Sequence, residues 1–182
     1  VLREGYPRNT VFFDGDRGLK MKEKLGFEGC QLSLYMPTFR GRSDSVKEEE
    51  YISQVRDHLS RLDHLLEDNQ ILLVKLHPFV QNLLPVDNYK HIRSFPSEYD
   101  TYEILNACDV LITDYSSVMY DYANTGRKII LFAYDREEYL SERGMYEDIT
   151  GYPFPVVSSP EEIAAELQEH SGCPDRAFLD KY

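Results

Sequence analysis

The sequence predicts an α/β fold, an open sheet of parallel strands with helices on both faces. Three observations carry this. Short apolar runs alternate along the chain with stretches of helical period, the pattern of successive βαβ units. The clearest run, Ile71-Leu72-Leu73-Val74-Lys75-Leu76, is apolar almost throughout, as suits a strand buried on both faces. Residues able to do chemistry gather where the runs stop, and open parallel sheets bind ligands outside the carboxyl ends of their strands. At 182 residues the chain is long enough for one domain with a sizeable core.

Residues 1–30 read as an entry segment packing on the domain, and 31–182 as the domain itself. Gly5-Tyr6-Pro7-Arg8-Asn9 is turn-rich. Asp14-Gly15-Asp16 has the outward form of the Asp-x-Asp of metal-dependent sugar transferases. It has equally the form of a turn in which Asp16 caps a short helix running to Leu25. A strand from Gln31 to Met36 ends in Pro37-Thr38-Phe39-Arg40-Gly41-Arg42. In that loop Thr38, Arg40 and Arg42 are candidate phosphate ligands, since a guanidinium offers a bidentate fork. The helix from about Lys47 to Glu67 sets Tyr51, Val55, Leu59, Leu62 and Leu66 on one face, with His58 and His64 toward solvent or its flank.

The strand from Ile71 to Leu76 holds Lys75, which either snorkels to an edge or points at an anion. It breaks at His77-Pro78, so His77 stands at a strand end. A weak strand from His91 to Phe95 and a helix from Tyr102 to Ala107 follow. Val110 to Ile112 then stops abruptly at Thr113-Asp114-Tyr115-Ser116-Ser117, and apolar residues return at helical spacing as Val118, Met119, Tyr122 and Ala123. This is strand, tight turn and helix. Asp114, Ser116 and Ser117 either cap the new helix or, with its free N–H groups, hold a phosphate. A strand at Lys128–Phe132, a short helix from Arg136 to Arg143, a strand at Val156–Val157 and a well-capped helix through Glu169 complete the chain.

The formal net charge of −12 argues against nucleic-acid binding, which needs a basic face, and against a polybasic membrane patch. Cys30, Cys108 and Cys173 are widely spaced and form neither a disulfide framework nor a zinc pattern, as for buried thiols in a reducing cytoplasm. No strong metal-ligand cluster is visible. No apolar run approaches the ~18 residues of a membrane span. The chain starts at Val1, which points to a piece of something larger.

Four ordered motifs then resemble a known family. Tyr35-Met36-Pro37-Thr38-Phe39-Arg40, Lys75-Leu76-His77-Pro78, Asp109 through Ser117, and Phe132-Ala133-Tyr134-Asp135 with Glu138-Tyr139 are similar to motifs of the CDP-glycerol glycerophosphotransferases of teichoic acid and capsule synthesis. Gly5 to Asn9 also matches, and the resemblance covers about residues 5–150. It implies a Rossmann-like three-layer αβα parallel sheet, resembling the C-terminal half of a GT-B glycosyltransferase, with an N-terminal half elsewhere. It implies transfer of glycerol phosphate from CDP-glycerol to a lipid-linked or poly(glycerol phosphate) acceptor, with release of CMP, at the cytoplasmic face of a bacterial membrane. His77 is then the candidate catalytic residue. Thr38, Arg40, Lys75, Asp114, Ser116, Ser117 and Asp121 are the candidate donor-binding residues, Asp121 lying about where related folds set an acid against ribose hydroxyls. The general base would come from the other half. Gly151-Tyr152-Pro153-Phe154-Pro155 departs from the family's Pro-Gly-Pro. A CDP-ribitol or nucleotide-sugar transferase, and a non-catalytic nucleotide-binding module, are the rival readings.

Overall fold

Parallel strands line up in the order β3-β2-β1-β4-β5-β6 in one six-stranded sheet. They are β1 (Gln31–Tyr35), β2 (Gln70–Val74), β3 (Ile92–Ser94), β4 (Val110–Thr113), β5 (Lys128–Phe132) and β6 (Val156–Val157). The computed structural model describes residues 5–40, 45–145 and 147–182, with the side chains of 45–48 and 79 left aside. All pairings are parallel, with β1 between β2 and β4. The order therefore reverses between β1 and β4, the switch point at which such sheets open a crevice.

Alternation along each strand feeds two cores. Leu32, Leu34, Leu111, Ile129 and Leu131 face one side. There they pack beneath a 3-10 helix (Pro7–Phe13), α1 (Gly15–Lys24), α4 (Thr101–Ala107), α5 (Val118–Ala123) and α8 (Arg176–Lys181), through Phe12, Ile104, Leu105, Met119, Tyr122 and Phe178. Tyr35, Leu72, Val110, Ile112, Ile130 and Phe132 face the other side. Their covers are α2 (Ser45–Leu65), α3 (Pro78–Gln81) and α7 (Pro160–Glu166). The α6 helix (Arg136–Glu142) buries none of its residues. It sits over the carboxyl edge rather than over a face.

The entry segment belongs to the core. Phe12 is buried among the first set of helices, and Gly18 lies so close to α4 that an added Cβ would stand 2.4 Å from the Asn106 carbonyl oxygen. Several boundaries shift. Asp14, not Asp16, caps α1 by accepting from the Arg17 N–H, so the Asp-x-Asp form is a helix start. The second strand ends at Val74, leaving Lys75 just beyond it. Two short helices, α3 and α8, had no clear periodic signal because each is under two turns long. Of the two α2 histidines, His58 lies on the flank, half-buried with its ring edge-on against Phe132 and Tyr134, whereas His64 is exposed. Among the described residues no helix is long and apolar enough to cross a membrane.

Candidate functional site

The loops that leave β1, β4 and β5 are tied together by one buried ionic node. Asp114, at the end of β4, accepts hydrogen bonds from the Thr38 N–H at 2.9 Å, the Thr38 hydroxyl at 2.7 Å and the Tyr115 N–H at 2.7 Å. It also pairs with Arg40 Nη2 at 2.7 Å. Arg40 turns its Nε to Asp135 at 2.6 Å and its Nη1 to the Thr38 carbonyl at 2.7 Å. Arg40 and Asp114 side chains are only 5% and 1% exposed. Buried ions of this kind persist where every lone pair and proton has a partner. Burial opposes the charge on Arg40, yet the two carboxylates more than offset it and hold its pKa above the ordinary value. The guanidinium also lies over the rings of Tyr115 and Tyr139, which stack on each other at 3.9 Å.

Next to this node lies a cavity of about 560 Å³ lined by Thr38, Tyr115, Ser116, Ser117, Tyr139 and Arg143, and closed by Tyr120, Glu147 and Tyr152. That is the volume range of small-ligand sites. Thr38, Ser116 and Ser117 thus come together across the switch point between β1 and β4, as the strand-end pattern predicts. The capping expectation is corrected in detail. Asp114 turns back to Thr38 and Arg40 instead of capping, and Ser117 at the N-cap has αR backbone (φ −62°, ψ −11°) and no side-chain cap bond. Ser116 Oγ accepts weakly from the Val118 N–H at 3.4 Å. Ser116 thus makes a loose contact with the helix start, Ser117 makes none, and both serines line the cavity.

The other candidates are placed differently. His77 is exposed, and its ring stacks on Phe39 at 4.1 Å, between the Thr38 and Arg40 positions of the β1 loop. Lys75 lies 3.9 Å over the Phe95 ring, and desolvation lowers its pKa. Its ammonium lies against that ring without an ion pair to a described residue, and Asp100 acts on it through space. Asp121 is buried, and accepts from Arg8 Nη2 at 2.8 Å, Asn9 Nδ2 at 2.9 Å and the Tyr102 hydroxyl at 2.8 Å. Its oxygens fasten the entry segment to α5, which takes them away from a ribose. Arg42 lies outside the described residues. Among those described, no group of three or more His, Cys, Asp or Glu side chains converges on a metal position.

A second cavity, of about 630 Å³, runs from Arg40 along Tyr51 and Gln54 to the start of α6. Its wall sets Glu50, Asp135, Glu137 and Glu138 against Arg40 and Arg136, a net negative lining that disfavours a phosphorylated ligand.

Residues 1–177 match the family model described as CDP-Glycerol:Poly(glycerophosphate) glycerophosphotransferase. The chain belongs to this family. Its relatives include a teichoic acid poly(ribitol-phosphate) polymerase of Bacillus spizizenii, 34% identical over 93% of this chain and 28% of the relative. A teichoic acid poly(glycerol phosphate) polymerase of the same organism is 33% identical over 92% of this chain and 44% of the relative. Among solved structures, the wall teichoic acid polymerase TagF soaked with CDPG superposes with a TM-score of 0.76 at 29% identity, over all of this chain and 44% of that one. The chain thus spans less than half the length of these relatives.

For a member of the glycerophosphotransferase family, some of the site went unread in the sequence. Asp135 carries the node from the loop between β5 and α6, three residues beyond the strand, where the strand-end rule also points. Tyr152 sits in the loop that departs from the family's Pro-Gly-Pro, and that loop forms a wall of the cavity. Glu147 and Arg143 follow a short surface helix and carried no periodic or motif signal.

Proposed function

We propose that this domain is the donor-binding half of a transferase that moves glycerol phosphate from CDP-glycerol to a lipid-linked or poly(glycerol phosphate) acceptor and releases CMP. The observation that carries the reading is the cavity at the switch point, lined by Thr38, Ser116 and Ser117, in a chain matched to the glycerophosphotransferase family over residues 1–177. The acceptor hydroxyl oxygen forms the new bond at the phosphorus that bears glycerol. The bond from that phosphorus to the CMP phosphate breaks, and the hydroxyl proton passes to a base outside this domain. Positioning and charge stabilisation supply most of the catalysis in such transfers.

In this reading Ser116 and Ser117 donate to the diphosphate from the β4 side, and Thr38 shapes the β1 side. His77 stands one ring away from the same loop and binds or protonates the departing CMP phosphate, a role open to a side chain whose ordinary pKa is about 6.5. Arg40 and Asp114 act indirectly, by holding Thr38 and Tyr115 in place. Lys75 adds positive potential at the end of β2, and Asp121 steadies α5 from behind. The enzyme works at the cytoplasmic face of a membrane, where its lipid-linked acceptor is held.

The ribitol-phosphate polymerase among the relatives makes CDP-ribitol the second reading. Calorimetry on the 182-residue chain with CDP-glycerol, CDP-ribitol and a UDP-sugar separates the possibilities. CDP-glycerol is expected to bind most tightly, with no CMP release by this chain alone. Preferential binding of the UDP-sugar would overturn the donor assignment. Turnover by these residues alone would overturn the need for a second half. In a transferase that contains this domain, His77→Ala is expected to lower kcat far more than it alters donor affinity.

A further inference from the structure

The cavity is chemically lopsided. On the α5 side the serines have hydroxyl protons to give: Ser116 Oγ only accepts, and Ser117 makes no side-chain hydrogen bond to another described residue. On the opposite side three groups are joined in a row. The Tyr120 and Tyr152 hydroxyls lie 2.7 Å apart, and the Tyr152 hydroxyl donates to Glu147 at 3.5 Å. The carboxylate oxygen that receives it also accepts from Lys181 Nζ at 2.8 Å and from the Tyr182 hydroxyl. Because Tyr152 gives its proton to Glu147, the proton between the two tyrosines comes from Tyr120. Burial, then this bond, pushes the Tyr120 hydroxyl well above its ordinary pKa, as expected of the donor in the pair.

Every proton along that row therefore points toward Glu147. What faces the cavity there is oxygen lone pairs beside a carboxylate. Such an edge accepts hydrogen bonds and does not offer them, so it disfavours phosphate and suits a neutral group bearing O–H donors. Lys181, carried on α8, offsets the carboxylate charge so that it does not oppose phosphates held at the serine end. The same two residues, Glu147 and Tyr152, also line a neighbouring cavity of about 370 Å³ against α8. They are a partition whose position depends on that helix.

We infer that Glu147, Tyr152 and Tyr120 form the hydroxyl-reading end of the donor cavity, taking neighbouring hydroxyl groups of the polyol or of the ribose while Ser116 and Ser117 take the phosphates. This rests on the donor-binding reading above. It makes the edge a specificity device, since groups built to accept from a hydroxyl discriminate strongly against ligands that lack it.

Calorimetry on the full chain tests it, with the unsubstituted protein, Glu147→Gln and Tyr152→Phe each titrated with CDP-glycerol, CDP and 2′-deoxy-CDP. If the polyol is read, both variants weaken CDP-glycerol by about 5- to 20-fold and leave CDP unchanged. If the ribose is read, CDP weakens by a similar factor and 2′-deoxy-CDP is less sensitive. Either result supports the assignment. Equal weakening of CDP and 2′-deoxy-CDP, or no change with any ligand, overturns it. An unsubstituted chain that binds none of the three removes the donor-binding reading itself, a result distinct from the others.

Discussion

Asp114 and Ser116 stand two residues apart at the end of β4, and both are N-cap residue types, yet they end in opposite chemical states. Asp114 is saturated. Its two oxygens take Thr38, Arg40 and the Tyr115 N–H within a node that joins three strand ends. Ser116 and its neighbour Ser117 keep hydroxyl protons free in an open cavity. The comparison teaches that one short turn can divide its labour, one residue organising the wall and the next lining the cavity. Burial marks which is which: a carboxylate out of water must be fully paired, whereas a wet hydroxyl can wait for a partner.

The node and the cavity are therefore expected to fail differently when altered. Arg40→Met leaves Asp114 and Asp135 buried without their counter-charge, and is expected to cost about 3–5 kcal/mol of stability by chemical denaturation. A near-neutral change would mean that the node is dispensable. Asp121→Ala strands the Asn9 amide and the Tyr102 hydroxyl, and about 1–3 kcal/mol is expected to be lost. Hydrogen exchange in residues 5–13 should quicken at the same time, and unchanged protection there would separate Asp121 from the entry segment.

A smaller effect is expected with pH. Desolvation against Phe132 and Tyr134 lowers the His58 pKa in the folded chain, so the unfolded chain takes up a proton first as the medium is acidified. Stability contributed by neutral His58 is complete above the ordinary histidine range near ~6.5 and declines as pH falls through it. Unfolding curves at pH 7.5 and 5.5 should therefore diverge less for His58→Gln than for the parent. Parallel curves for the two proteins would show that its burial is immaterial.

At the bottom of the scale, Ser117→Ala should shift stability by no more than about 0.5 kcal/mol, as for an unpaired surface hydroxyl. Donor affinity is nevertheless expected to fall several-fold. Loss of stability with intact binding would reverse the roles assigned to node and cavity.

Much of this was legible along the chain. The alternation of apolar runs with helical stretches pointed to the parallel sheet, and Pro37, His77-Pro78 and the Asp114–Ser117 turn marked its carboxyl edge. Thr38, Ser116 and Ser117 do share one cavity. The misplacements have a common cause. Arg40 looked like a phosphate clamp and Asp121 like a ribose ligand because residue type and strand-end position were visible, while their partners were not. Asp121 finds Arg8 across 113 positions of sequence, and no local pattern reports such a pairing.

By itself, the order of apolar and polar residues determined the strands, the helices, the edge at which chemistry gathers and the family motifs, because periodicity and backbone breaks are local properties. Tertiary structure decided which of the gathered polar groups are already satisfied. Arg40 meets Asp114 and Asp135 across sequence separations of 74 and 95 residues, and only the packed sheet brings those three charges out of water together. Once buried they must satisfy one another, so Arg40 and Asp114 are committed to the fold while Ser116 and Ser117 line the cavity beside them.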